Sequence, residues 1–161
     1  MTIIYLLLGS NLGDRKMLMQ SAATLIGERV GEIVRVSSLY ETAPWGGIEQ
    51  GAYLNQVVAV ATDLAPEEVL RIILEIEHEL GRVRYERWGA RHLDIDLLYY
   101  GSEQMDTARL TVPHPRLHER RFTMIPLAEI APEWVHPVIQ KTNLSLLDLC
   151  TDEGEVSLYE G

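Results

Sequence analysis

Apolar and polar positions alternate along the chain in a pattern that marks out its elements. Thr2–Leu8 is a short apolar run that stops at Gly9-Ser10-Asn11, which predicts a buried strand. Leu18, Ala22, Leu25 and Ile26 recur at helical spacing and predict a helix over roughly 14–28. Ile33–Tyr40 and Tyr53–Ala61 are rich in β-branched and aromatic residues and read as strands, separated by a Pro- and Gly-containing loop at Ala43-Pro44-Trp45-Gly46-Gly47. The clearest helix follows. Pro66 suits its first turn, Val69, Ile72, Ile73, Ile76 and Leu80 form one apolar stripe, and Gly81 can close it. Leu93–Tyr100 is a further strand, ended by Gly101.

This β-α-β-β-α-β order is the split-βαβ, or ferredoxin-like, arrangement. Beyond it, Pro113 and Pro115 punctuate a loop, and helical pattern resumes from about His118, expected to break at Pro126 and again at Pro132. The expectation is an α+β chain with a ferredoxin-like βαββαβ core and a helical C-terminal extension. A length of 161 residues favours one domain over 1–161, with no internal repeat.

Charge changes the picture more than composition does. The formal net charge is −10, which disfavours a general nucleic-acid binder and an anionic-membrane binder. No apolar run reaches the ~18 residues of a membrane span, and the first run lacks the basic start of a signal peptide. Cys150 is the single cysteine, which excludes an internal disulfide and suits a reducing cytoplasm. The charge is uneven. Arg82–Arg121 holds eight arginines against six acids, a net +2, so the rest of the chain carries −12. All eight cations are Arg, whose planar fork suits phosphate oxygens, although a solvated basic face reads the same way on charge alone. The acidic end, Thr151–Gly161, reads most simply as a solvated, partly ordered tail.

Leu93-Asp94-Ile95-Asp96-Leu97 is the sharpest chemical signal. Strand alternation sends the apolar residues to one face and both aspartates to the other, with Cα atoms ~6.6–6.8 Å apart. Two carboxylates so close repel each other unless a cation joins them, and oxygen-only donors suit Mg²⁺ with phosphate oxygens. The plainer reading is a strand with one wet face. Arg82-Val83-Arg84-Tyr85-Glu86-Arg87-Trp88-Gly89-Ala90-Arg91 runs into this strand, and that adjacency favours anion binding, with the loop able to close over a polyphosphate. The spacing is not that of a P-loop. Gly9-Ser10-Asn11-Leu12-Gly13 is a strand-to-helix turn that could meet an anion but is more often structural. His92 and His114 lie near cations, whereas His78, His118 and His136 carry no pattern. Trp45, Tyr53, Trp88 and Phe122 are core by default; the loop placement of Trp45 and Trp88 suits stacking on a flat heterocycle.

Five blocks then occur in order: Gly9-Ser10-Asn11-Leu12-Gly13; Tyr40-Glu41-Thr42-Ala43-Pro44-Trp45-Gly46; Tyr53-Leu54-Asn55; Arg87-Trp88-Gly89-Ala90-Arg91-His92-Leu93-Asp94-Ile95-Asp96; and Val112-Pro113-His114-Pro115-Arg116-Leu117-His118-Glu119-Arg120. With these blocks the sequence resembles the 6-hydroxymethyl-7,8-dihydropterin pyrophosphokinases over about residues 3–135. The resemblance implies a cytoplasmic monomer of ferredoxin-like fold that moves pyrophosphate from the co-substrate ATP to the pterin hydroxymethyl oxygen, a step of folate biosynthesis. It implies two Mg²⁺ ions on Asp94 and Asp96, either of which would also help orient the attacking hydroxyl. Arg82, Arg91 and Arg120 would contact phosphate oxygens, with Arg84, Arg87 and Arg109 as helpers. His114 would hydrogen-bond the nucleotide, Glu77 would lie near it, and Trp88 would belong to the closing loop over both substrates. The pterin would lie between Phe122 and Trp45, bordered by Pro44 and Asp94, with Thr42, Tyr53 and Asn55 at its polar edge.

Three other readings are open to such a sequence. An RNA-binding module of the same fold would need sheet-face aromatics and a basic domain. A nucleotidyl cyclase or nuclease would share Mg²⁺ and nucleotide but give another product. An inactive relative would lack the paired aspartates and arginines that are present here.

Overall fold

The computed structural model describes residues 1–11, 14–42, 52–81 and 93–160. Strand β1 (Thr2–Ser10) leads into α1 (Arg15–Arg29), where the Asp14 side chain accepts from the Met17 N–H and caps the helix. That cap occupies the helix start from within the chain. Next come β2 (Glu32–Val36), β3 (Tyr40–Thr42), β4 (Tyr53–Thr62), α2 (Pro66–Gly81) and β5 (Asp94–Tyr100). A two-stranded hairpin, β6 (Met105–Asp106) with β7 (Thr111–Val112), precedes a cis Val112–Pro113 bond and a 3-10 turn at Leu117–Glu119. Helices α3 (Arg121–Ile130) and α4 (Asn143–Leu149) and strand β8 (Val156–Leu158) complete the order.

The main sheet is antiparallel in every pairing and runs β5-β1-β4-β3-β8, with β2 also on β4. Alternation along β1 explains why its apolar run is unbroken. Ile4, Leu6 and Leu8 join Val58 and Val60 of β4, Leu93, Ile95 and Leu97, and the apolar stripes of α1 and α2. Tyr5 and Leu7 face the other way, with Val57, Ala59, Tyr99 and α3 residues Met124, Leu127 and Ile130. A register shift between Tyr5 and Leu6 lets Tyr99, not Leu98 alone, reach this second face.

Three expectations need correction. The single strand expected at Ile33–Tyr40 is two, because Ser37 interrupts the ladder: its hydroxyl accepts from the Val57 N–H, while its own N–H donates to the Val57 carbonyl. Pro126 does not break a helix but lies inside α3; burial of Thr123, Met124, Leu127 and Ala128 around it outweighs the local penalty. The supposed solvated tail contributes β8, which pairs with β3 in the register Thr42↔Val156, Glu41↔Ser157 and Tyr40↔Leu158. Main-chain hydrogen bonding on a sheet edge does not require an apolar sequence, so composition alone misread this segment.

His136, which carried no pattern, is a core residue. Its Nδ1 accepts from the Val138 and Ile139 N–H groups, and its ring meets Tyr99 edge-on at 5.7 Å. Burial, and secondarily the neighbouring His118, push its pKa down to about 4 from 6.5. The unfolded chain therefore binds the extra proton first as pH falls. Its contribution to stability is complete above pH 6.5 and disappears between 6.5 and about 4. Melting temperature should fall across that window. In His136→Asn, whose amide oxygen can replace Nδ1 as acceptor, the fall should be shallower; equal slopes in melting curves taken at stepped pH would refute the assignment.

Candidate active site

Three strands deliver side chains to one end of the second sheet face, beside the first turn of α3. Leu7 and Gly9 of β1, Tyr53 and Asn55 of β4, and Asp94 and Asp96 of β5 all line a cavity of about 640 Å³. Each pair is two residues apart, so the strand period alone points both members at the same side. Pairing then sets their height: Gly9 is opposite Asn55 on one side and Asp94 on the other, and Leu7 is opposite Asp96. Thr42 of β3 extends the floor, while Arg116, Glu119, Arg120, Phe122, Thr151 and Asp152 form the far wall.

Asn55 is almost fully buried. Its Oδ1 accepts from the Thr42 hydroxyl at 3.5 Å, and its amide donates to the Leu8 carbonyl at 3.5 Å. Gly9 leaves the room for this, since a Cβ there would stand 2.9 Å from Asn55 Nδ2. Gly9→Ala should therefore displace the Asn55 amide without disturbing the backbone. The expected result is a rise of about three- to tenfold in KM for a ligand read by Asn55, with a fall of only a few degrees in melting temperature from its weakened hydrogen bonds. An unaltered KM in steady-state kinetics would show that the amide does no reading. Next to Asn55, burial and then the Asp94 carboxylate raise the Tyr53 phenol above its ordinary pKa, so it remains a hydrogen-bond donor at neutral pH.

Glu77 of α2 stands behind the acidic pair, where its carboxylate accepts from the Ile95 N–H at 2.7 Å. This fastens the residue between Asp94 and Asp96 to the helix. Glu77, placed by resemblance near the nucleotide, also braces β5. His114 is half-buried across from Asp96. Its Nδ1 accepts from the Arg116 N–H at 3.1 Å, so the neutral ring carries its proton on Nε2. Burial lowers the pKa of the imidazole; Asp96 opposes this, and Arg120 and Arg116 reinforce it. The Arg120 guanidinium lies 5.8 Å from the centre of the Phe122 ring.

The inferred residues thus separate into four groups. Thr42, Tyr53, Asn55, Asp94, Asp96, Arg120 and Phe122 share one cavity. His114 borders it through Asp96, Arg116 and Arg120. Arg109 is exposed between β6 and β7 and is not among the lining residues. Pro44, Trp45, Arg82, Arg84, Arg87, Trp88, Arg91 and His92 lie outside the described residues. Four wall residues escaped the sequence reading. Arg116 and Glu119 were within a quoted block but had no assigned role, whereas Thr151 and Asp152 carried no signal beyond their acidity.

No three or more His, Cys, Asp and Glu side chains cluster as a metal cage among the described residues. Two half-buried carboxylates on one strand still fit a hard divalent ion, which keeps waters and takes its other oxygens from phosphate. Paired carboxylates, a polar slot against an aromatic ring and two arginines on the wall make a concave polar site on an antiparallel α+β scaffold. Residues 5–132 match the model of the 7,8-dihydro-6-hydroxymethylpterin-pyrophosphokinase family, and the chain belongs to that family. A Bacillus subtilis 2-amino-4-hydroxy-6-hydroxymethyldihydropteridine pyrophosphokinase is 44% identical over 132 residues, covering 81% of this chain and 79% of the relative. The enzyme of that name from Methylorubrum extorquens is 45% identical over 136 residues, covering 84% and 86%. Among solved structures, wild-type Plasmodium falciparum HPPK-DHPS superposes with a TM-score of 0.75 at 16% identity, a likeness of fold. That match covers 92% of this chain and 43% of the longer one.

Proposed function

We propose that this chain transfers pyrophosphate from ATP to the hydroxymethyl oxygen of 6-hydroxymethyl-7,8-dihydropterin, releasing AMP, the activity that its family membership supports. The observation that carries the reading is the placement of Asp94 and Asp96 on the same cavity wall as Tyr53 and Asn55, facing Phe122 and Arg120. An acidic pair, a heterocycle slot and a cation then meet at one point. The sheet order, with β2 and β3 sharing one strand position beside β4, supports the ferredoxin-like description of the core.

In this reading Phe122 covers one pterin face, while Thr42, Tyr53 and Asn55 read its polar edge. Asp94 and Asp96 would hold Mg²⁺, which supplies neutralisation of phosphate charge and polarisation of oxygen atoms when bound. The protein's own share is positioning and electrostatics, which dominate this class of transfer. The neutral His114 presents Nε2–H to a phosphate oxygen, and Arg120 adds a fixed positive charge. Arg82, Arg84, Arg87, Arg91 and Trp88 complete the nucleotide side by resemblance to the family. A carboxylate of the pair is within its chemistry in accepting the hydroxyl proton. A monomer in the cytoplasm suits these small soluble substrates, and no helix of the described residues is long and apolar enough to cross a membrane.

The test is incubation with Mg-ATP and 6-hydroxymethyl-7,8-dihydropterin, followed by separation of adenine nucleotides. Pterin-dependent AMP is expected. ADP, a cyclic nucleotide or no product from folded protein would overturn the reading.

A further inference from the structure

The chain after α4 lies beyond the family match, which ends at residue 132, yet it reaches the cavity. Thr151 and Asp152 stand on the wall shared with Arg120 and Phe122. The Asp152 Oδ2 accepts from the Arg121 N–H at 3.0 Å, and its Oδ1 accepts from the Gly154 N–H at 2.9 Å. Arg121 is the first residue of α3, and this helix has no side-chain cap of its own from Arg120. A helix start leaves its first N–H groups without intrahelical partners, so Asp152 supplies from a distant segment what the local sequence lacks.

The segment that carries Asp152 is itself held. Strand β8 pairs with β3, beginning with Val156 opposite Thr42, which lies on the floor of the same cavity. The Tyr159 N–H donates to the Leu39 carbonyl at 2.9 Å, and Arg15 lies 5.4 Å from the centre of the Tyr159 ring. Arg15 is fixed in turn by Glu41 and by the Ala52 carbonyl, each at 2.8 Å. Residues 152–159 therefore run as one strap from the Phe122 wall to the Thr42 floor. The two N–H groups on Asp152 hold its carboxyl below the usual carboxylate range, so the strap is anchored by an ionised group at neutral pH.

We propose that Asp152 is a positioning residue for the pterin slot: through the Arg121 amide it sets where α3 begins, and so where Phe122, the second residue of that helix, stands relative to Thr42. The proposal rests on the pyrophosphokinase reading above. Its action is on substrate placement, so it should alter pterin binding more than turnover.

Steady-state kinetics of the wild type, Asp152→Ala and Asp152→Asn decide it, with thermal melts run alongside. Asp152→Ala should raise the pterin KM about tenfold with kcat within about twofold, the size expected for one lost charge-assisted hydrogen bond. Asp152→Asn keeps one acceptor oxygen, enough for the Arg121 N–H but not also for the Gly154 N–H, so its pterin KM should lie between those of wild type and Asp152→Ala. A pterin KM unchanged in folded Asp152→Ala overturns the proposal, as does an Asn variant more impaired than Ala. If Asp152→Ala does not fold, Asp152→Glu takes its place: the extra methylene moves the oxygens, so Glu should raise KM more than Asn, and the reverse order overturns the proposal. A wild type without pterin-dependent AMP refutes the pyrophosphokinase reading itself, an outcome distinct from an active wild type matched by its variants.

Discussion

Asp96→Ala is expected to lower AMP formation at saturating substrates by at least about two orders of magnitude, or ~3 kcal/mol of transition-state stabilisation. The position of Asp96 explains the size. It is opposite Leu7 in the β1–β5 ladder, and the brace from Glu77 to the Ile95 N–H holds the strand beside it. The residue cannot drift to compensate, and a neighbouring carboxylate on so rigid a strand cannot move into its place. On the far wall Arg116 and Arg120 are matched by Glu119 and Asp152, so that wall carries no net charge to replace what Asp96 would hold through a metal ion. The effect should fall on turnover, with pterin affinity changed little, because Tyr53, Asn55 and Phe122 remain. Rapid separation of AMP at saturating Mg-ATP and pterin, beside a direct pterin titration, checks both halves. Near-normal turnover in the variant would refute the role given to the acidic pair.

Phe122→Ala should weaken the pterin by one to two orders of magnitude. Removing an aromatic ring from beneath a flat heterocycle costs about 1–3 kcal/mol when the other contacts remain. Here the ring also orders Arg120, whose guanidinium lies 5.8 Å from its centre, so some loss in kcat is expected as well. Phe122→Tyr should restore most of the affinity and Phe122→Leu only part of it, since leucine fills space without offering a face. Pterin titrations of the three variants test this ordering. Equal affinities for Leu and Phe would mean that the wall contributes bulk and not stacking.

Much of this site was legible in the chain because it is built on strands. The Asp94-Ile95-Asp96 alternation, the paired Tyr53 and Asn55, and the apolar runs of β1 and β4 follow a period of two that neighbours cannot alter. Helix α2 was equally clear, since its stripe, its opening Pro66 and its closing Gly81 agree. Pro126 misled because a local penalty was weighed without the packing that offsets it. Arg109 lies exposed between β6 and β7, and Glu77 accepts from the Ile95 N–H, contacts that the resemblance did not foretell. Asp152 had no readable signal at all. Its partner, the Arg121 amide, is 31 positions away, and main-chain groups leave no mark in a sequence.

Charge divides in the same way. The sequence by itself determined the elements, the acidic exterior, the cationic stretch and the family, because each depends on side-chain chemistry or on spacing along one segment. Only the tertiary structure decided which residues share a cavity, that the acidic end is a strand rather than a tail, and that Gly9 makes room for Asn55. Those outcomes depend on registers between distant strands and on main-chain hydrogen bonds, which any sequence can form once folding brings the partners together.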